Sequence, residues 1–289
     1  MDRDLVERVR EAQRSLEPQF KELRQAVSAL KTAARLAESE KPDALPMSKV
    51  LPKLEQAAAK LPDDALEAAT ADFRRETERA LDALAFDFAK DLRDAFAGRG
   101  LEVDGRPPAL LVGDLVLRID VAARKAQWFY GQEPLTGRLQ LSTAAIVDAY
   151  ERQQKLIAQR ESVPADFLRE LFATWDGELK SRSRRPAGNR LNLVDTYAKM
   201  TMARQSARFW NAPSRKTFKD YPRPQFVRDL VRAQASPTFD VDGRRYRLRL
   251  GVATKSQADS SSRSVWLPSA AGGLDGTYYS DVTFEDVPA

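Results

Sequence analysis

The chain has 289 residues with a formal net charge of +5, and 43% of them are hydrophobic, which is enough apolar side chain for more than one core. It contains no cysteine and no histidine, which excludes disulfides, thiolate and imidazole metal sites, and any nucleophile activated by histidine. No apolar run approaches the roughly 18 residues of a membrane span, and the charged start MDRDLVERVR lacks the apolar stretch of a secretory signal. A cytoplasmic protein with no membrane partner is expected.

The first forty residues read as one long helix. Leu16, Phe20, Leu23, Val27, Leu30 and Ala34 recur at steps of four and three, the seam of a coiled coil, and Leu5, Val9 and Ala12 extend it with a slip near Pro18. Lys41-Pro42 and Leu45-Pro46 are expected to end that helix, and a shorter one runs from Ser48 to Lys60. Pro62-Asp63-Asp64 looks like the start of a second long helix, with acidic residues at the positive end of its dipole. It continues to about Phe96, with Leu81, Leu84, Phe88, Leu92 and Phe96 as its apolar stripe and Gly98 and Gly100 closing it. The simplest packing is an antiparallel hairpin of the two long helices; docking of a protein partner, or of a second copy, is the alternative.

From Leu101 the period becomes two. A turn is expected at Asp104-Gly105, with Leu115, Leu117, Ile119 and Val121 on one face of a strand and Asp114, Val116, Arg118 and Asp120 on the other. Ala126 to Tyr130 adds a strand carrying Trp128 and Tyr130, completing a small antiparallel meander. Helical spacing returns over Thr143 to Arg160 and over Pro164 to Lys180. The segment Ser181 to Asn189, SRSRRPAGN, reads as a basic linker. Leu191 to Trp210 is expected to be one helix, Asn211 to Pro224 a loop, and Gln225 to Ala235 a short helix that exposes Arg228 and Arg232 on one face.

The run TFDVDGRRYRLRL, Thr238 to Leu250, predicts a hairpin about Asp242-Gly243. In that register Val241 faces Arg244, Asp240 faces Arg245, Phe239 faces Tyr246 and Thr238 faces Arg247. Phe239, Val241, Tyr246, Leu248 and Leu250 then share one face, and Asp240, Arg245, Arg247 and Arg249 the other. The three arginines form a stripe spaced roughly 6.6 Å apart, comparable to the phosphates of a nucleic-acid strand. Lys255 to Ser264 is a polar loop suited to a wing tip, and Val265 to Leu267 and Tyr278 to Glu285 are closing strands with Tyr278, Val282 and Phe284 inward.

Charge is unevenly distributed. Residues 1–150 carry a net −3, residues 151–250 a net +11, and residues 251–289 a net −3. A basic middle between acidic flanks is the pattern of a binding surface. Its members are Arg182, Arg184 and Arg185 in the linker; Arg215, Lys216, Lys219 and Arg223 in the loop; Arg228 and Arg232 on the helix; and Arg245, Arg247 and Arg249 on the strand. Trp210 and Tyr221 lie among them, to stack on bases or to anchor loops.

Catalytic patterns are thin. The phosphate-binding loop, the dinucleotide fingerprint and the Gly-x-Ser-x-Gly elbow are missing. Asp104, Asp114 and Asp120 with Lys125 suggest a metal-dependent nuclease, yet Asp114 and Asp120 lie roughly 20 Å apart on an extended strand, too far to share an ion. Asp166 with Glu178-Leu179-Lys180 mimics a restriction-type nuclease order but falls in a helix, and the Ser28–Lys31 match falls in the coiled-coil seam.

The sequence therefore predicts an α+β protein with an N-terminal helical hairpin over residues 1–100, a small antiparallel sheet with helices over 101–183, and a basic winged-helix-like domain over 184–289. Its expected role is a non-enzymatic, nucleic-acid-binding accessory subunit that holds DNA or RNA backbone, with no catalytic residue, metal or cofactor. A protein partner, or a second copy, docks on the N-terminal helices. The alternatives are a metal-dependent nuclease using the sheet carboxylates and a docking scaffold of a large assembly.

Overall fold

The computed structural model describes residues 3–38, 43–158, 161–269 and 273–288. It contains helices and antiparallel sheets, an α+β architecture with a helical N-terminal region. The chain divides into two units: residues 1–92 with 119–125, and residues 93–118 with 126–289. Among the described residues no helix is long and apolar enough to cross a membrane.

Helix α1, Arg3–Ala37, is continuous through Pro18. Helix α2, Ala44–Lys60, begins earlier than expected because Asp43 caps it by accepting from the Leu45 amide at 3.2 Å. Pro46 thus falls in the first turn of α2, where a missing N–H leaves no helical bond unmade, so Leu45-Pro46 does not break the helix. The other expected break, Lys41-Pro42, lies outside the described residues. Helix α3, Asp64–Ala97, starts where Asp63 accepts from the Leu66 amide at 2.8 Å.

Packing in this region differs from the expected pairing of the two long helices. Helix α1 lies on α2 through a row of small side chains: Ala29 and Ala33 join Met47, Val50 and Leu54 of α2 and Phe73 of α3, while Ala26 joins Ala57 and Leu66. Alanines at three- and four-residue spacing let backbones approach closely, so they make the internal contact. The larger seam side chains Leu5, Val9, Leu16, Phe20, Leu23 and Val27 stay 48% to 66% exposed.

After α3 the chain forms a meander in the order β1, Val103–Arg106; β2, Ala109–Val112; β3, Leu115–Asp120; β4, Lys125–Tyr130; and β5, Glu133–Pro134. A further strand, β6, Leu139–Gln140, also pairs with β4. The first turn is at Pro107-Pro108 rather than Asp104-Gly105, since Arg106 pairs with Ala109 and Gly105 with Leu110. At a hairpin apex neither proline is asked for a ladder hydrogen bond. Helix α4, Thr143–Gln153, ends in a π-helical turn at Gln154–Ala158. Trp128 and Tyr130 lie on β4 as expected and are buried there, and the Trp128 indole donates to the Ile146 carbonyl at 3.0 Å.

Helix α5, Pro164–Ser181, packs on a second sheet and on two of the helices that follow it, α6, Leu193–Ala203, and α8, Arg223–Ala235. Helix α6 comes after the short strand β7, Leu191–Asn192, and α7, Ala207–Asn211, lies between α6 and α8 in the chain. The sheet runs β10, Val265–Pro268; β11, Gly276–Asp286; β9, Arg244–Val252; β8, Thr238–Val241; β7 also pairs with β11. A four-residue helix, α9, Lys255–Ala258, fills part of the expected polar loop.

The β8–β9 register matches the expectation pair for pair, from Val241 opposite Arg244 to Thr238 opposite Arg247. Asp242 at φ 50° and Gly243 at φ 78° supply the left-handed turn this connection needs. The apolar face meets α5: Phe172 stands 4.4 Å from the Tyr246 ring, 5.8 Å from Phe239 and 5.3 Å from Phe284. Val282 and Phe284 point inward, but Tyr278 is exposed, because an irregularity between Tyr279 and Asp281 resets the alternation of β11. Gly276 and Gly131 both leave room for Trp266: a Cβ at either would overlap the indole, and one at Gly276 would also overlap the Leu267 carbonyl.

Candidate nucleic-acid interface

The expected helix over Leu191 to Trp210 is two helices, and the break between them builds the surface. At the end of α6 the buried Gln205 donates its amide to the Thr201 carbonyl at 2.8 Å and to the Lys219 carbonyl at 2.9 Å, and accepts from the Lys219 amide at 2.7 Å. The side chain thus ends one helix and holds the far side of the following loop as a strand partner would. Ser206 then caps α7.

Beyond α7 the loop is ordered by its own polar groups. Thr217 donates its hydroxyl to the Ala212 carbonyl at 2.9 Å, and the Ser214 amide donates to Thr217 at 3.1 Å. At the loop's end Tyr221 is buried and donates to Asp229 Oδ2 at 2.7 Å. The Arg204 guanidinium sits 3.5 Å over the Tyr221 ring while pairing with Glu170, and Tyr197 donates to the Tyr221 carbonyl at 2.6 Å. Burial, together with the Asp229 carboxylate, pushes the Tyr221 phenol well above its usual range. Of the two roles open to it, Tyr221 has the anchoring one.

What this framework presents to solvent is mixed aromatic and basic. Trp210 is 56% exposed and Phe218 37% exposed, each packed edge-on against Phe209 at 5.3 Å and 5.6 Å. Arg208, Arg215, Lys216 and Lys219 are exposed beside them in the chain and form no ion pair among the described residues. Arg184 and Arg185, after the end of α5, are likewise exposed and unpaired among the described residues, while Arg182 reaches Glu178 at 3.4 Å.

The remaining expected residues have other commitments. Arg223 is a structural staple, donating to Glu133 at 2.8 Å and to the carbonyls of Ser261 and Ser264 at 2.5 Å and 2.8 Å. Arg228 does not share an exposed face with Arg232: it is buried beside Asp229, 4.0 Å away, because α8 packs against α5 on one side and β10 on the other. Arg232 is exposed, 3.5 Å from the Ser162 hydroxyl.

The arginine stripe lies on an interior strand and is largely neutralised. Arg245 pairs with Asp240 at 3.2 Å across β8, and Arg249 with Glu285 at 2.8 Å across β11. Arg247 stands opposite Glu285 in the register and is half-buried; its Nε has no hydrogen-bond partner among the described residues. Acidic neighbours on both sides leave this face with little net positive potential.

The sheet carboxylates follow the same pattern. Asp120 Oδ1 accepts from the Ala123 amide at 2.9 Å as a turn residue, and among the described residues no group of three or more carboxylates is placed to hold a metal ion. Sequence reasoning did not single out Arg208, Phe209 and Phe218. The signal was the alternation of cations and rings through RFW and RKTFK, hidden by reading the first part as continuous helix. No protein-family model, curated protein or solved structure matches this chain.

Proposed function

We propose that the protein is a non-enzymatic, cytoplasmic, nucleic-acid-binding subunit of a larger assembly, which grips DNA or RNA backbone through the loop between α7 and α8. The carrying observation is the exposed Trp210 and Phe218 set among cations that form no ion pair among the described residues. Rings offer every base a stacking face, and unpaired cations take phosphates without first breaking an ion pair. The Gln205 and Tyr221 anchors hold the loop in shape before binding, which lowers the ordering cost of association. Helices α5, α6 and α8 followed by the β8–β9 hairpin fit a winged-helix-type order. The coiled-coil seam of α1 serves protein docking.

Binding of fluorescent DNA and RNA oligonucleotides across a salt titration tests this. If Arg184, Arg185, Arg215, Lys216 and Lys219 all engage phosphates, the log–log slope approaches about −3.5 on single strands and about −4.5 on duplex. Duplex affinity then falls roughly 500-fold between 50 and 200 mM salt. Absence of binding at 50 mM, or a slope near zero, contradicts the proposal.

A further inference from the structure

Helix α1 carries its own complement. Leu5, Val9, Ala12, Leu16, Phe20, Leu23 and Val27 follow at steps of four, three, four, four, three and four, a series that reads the same in both directions about Leu16. All seven are exposed, as is every residue from 4 to 21. A lone amphipathic helix of this kind gains most of its stability from whatever packs on its apolar face.

We propose that α1 pairs with α1 of a second copy of this chain in antiparallel orientation, with a two-fold axis at Leu16. The register sets Leu5 against Val27, Val9 against Leu23, Ala12 against Phe20 and Leu16 against itself. Every layer is apolar, and the smallest residue meets the largest. A parallel pairing would instead put Phe20 on Phe20 and Ala12 on Ala12, one layer overfilled and one hollow. Gln13 and Gln19, the positions roughly 60° to either side of Leu16, are uncharged, so no like charges face each other beside the central layer, and Glu17, roughly 100° round, falls on the rim. Pro18 lies roughly 200° around the helix from Leu16, so its missing donor falls on the outer side.

The area is sufficient. The seam spans roughly 33 Å of helix, and its six larger side chains stay 48% to 66% exposed, an apolar face of the order used by the smaller stable interfaces of about 1,200 Å². Small alanines are already spent on α2, which leaves this face available. The inference deepens the docking part of the proposed function and stands independently of nucleic-acid binding.

The full-length chain, which lacks cysteine, permits a clean test by sedimentation and by single-cysteine cross-linking. At micromolar concentration the mass is expected to be twice 32.4 kDa. Mixed Val9→Cys and Leu23→Cys chains are expected to link to each other under oxidation, while neither links to itself, because like positions are offset by roughly 21 Å. Leu16→Glu, which removes no packing within the monomer, is expected to weaken the dimer more than about 100-fold by facing two carboxylates in an apolar layer, with the chain still folded by circular dichroism. A monomer at tens of micromolar, self-linking of either single-cysteine chain, or a dimer that survives Leu16→Glu overturns the proposal. None of these readouts contains nucleic acid, so they fail or succeed separately from the oligonucleotide titration.

Discussion

Replacing Gln205 by alanine isolates the clamp on which the basic loop depends. The side chain makes three hydrogen bonds, two of them to both backbone groups of Lys219. At about 0.5–1.5 kcal/mol each, less the re-solvation of the exposed Lys219 backbone, the loss is about 2 kcal/mol. That corresponds to a fall in melting temperature of about 4–8 °C for a cooperative unit of this size. It also raises the open population of the loop about 30-fold where loop opening requires breaking the clamp. Arg215, Lys216 and Lys219 are exposed tryptic sites, so limited trypsinolysis followed by mass spectrometry reads loop opening directly. Faster cleavage at those three sites, with other sites unchanged, is the expected result. A destabilised protein whose loop is cut no faster would refute the clamp, and so would a protein unchanged in both respects.

Other expectations follow from the same contacts. Arg228→Ala should cost about 3–5 kcal/mol in a denaturant melt by leaving the buried Asp229 carboxylate short of a partner, whereas the exposed Arg232→Ala should stay within about 0.5 kcal/mol; equal effects would contradict the burial of Arg228. Gly276→Ala should destabilise by about 1–3 kcal/mol through overlap with Trp266, measured by thermal melting, and Trp266→Ala in the same background should relieve part of that cost. Tyr130, Tyr150, Tyr197 and Tyr221 all have phenol pKa values raised, chiefly by burial. The native state therefore keeps protons that the unfolded chain releases above pH 10, so stability holds below that pH and falls as pH rises through it. Tyr221→Phe should make an alkaline melt series less steep, and an unchanged slope would count against this.

The hairpin was the most legible part of the chain, because period-two alternation about Asp242-Gly243 encodes both turn and register locally. The counter-charges of its arginines were not legible. Glu285 lies 36 residues from Arg249 in sequence, and no local pattern announces which strand will become a neighbour. The burial of Arg228 was hidden for a related reason: helical spacing places it beside Arg232, but α5 and β10 arrive on that side from elsewhere in the chain. In α1 the seam was visible and the alanine row that makes the internal contact was not weighed, since small residues carry little hydrophobic signal although they permit the closest approach. The break after Ala203 depends on a side chain, Gln205, reaching fourteen residues ahead to Lys219, which periodicity alone does not reveal.

The claim that the loop and not the hairpin face holds nucleic acid is tested most directly by two triple variants measured side by side. One carries Arg215→Gln, Lys216→Gln and Lys219→Gln; the other carries Arg245→Gln, Arg247→Gln and Arg249→Gln. In oligonucleotide binding across a salt series, the loop variant should lose about three units of slope on duplex, with both variants still folded by circular dichroism. The hairpin variant should keep a slope close to that of the unaltered chain, because two of its arginines already hold carboxylates. Loss of slope in the hairpin variant with retention in the loop variant would contradict the account.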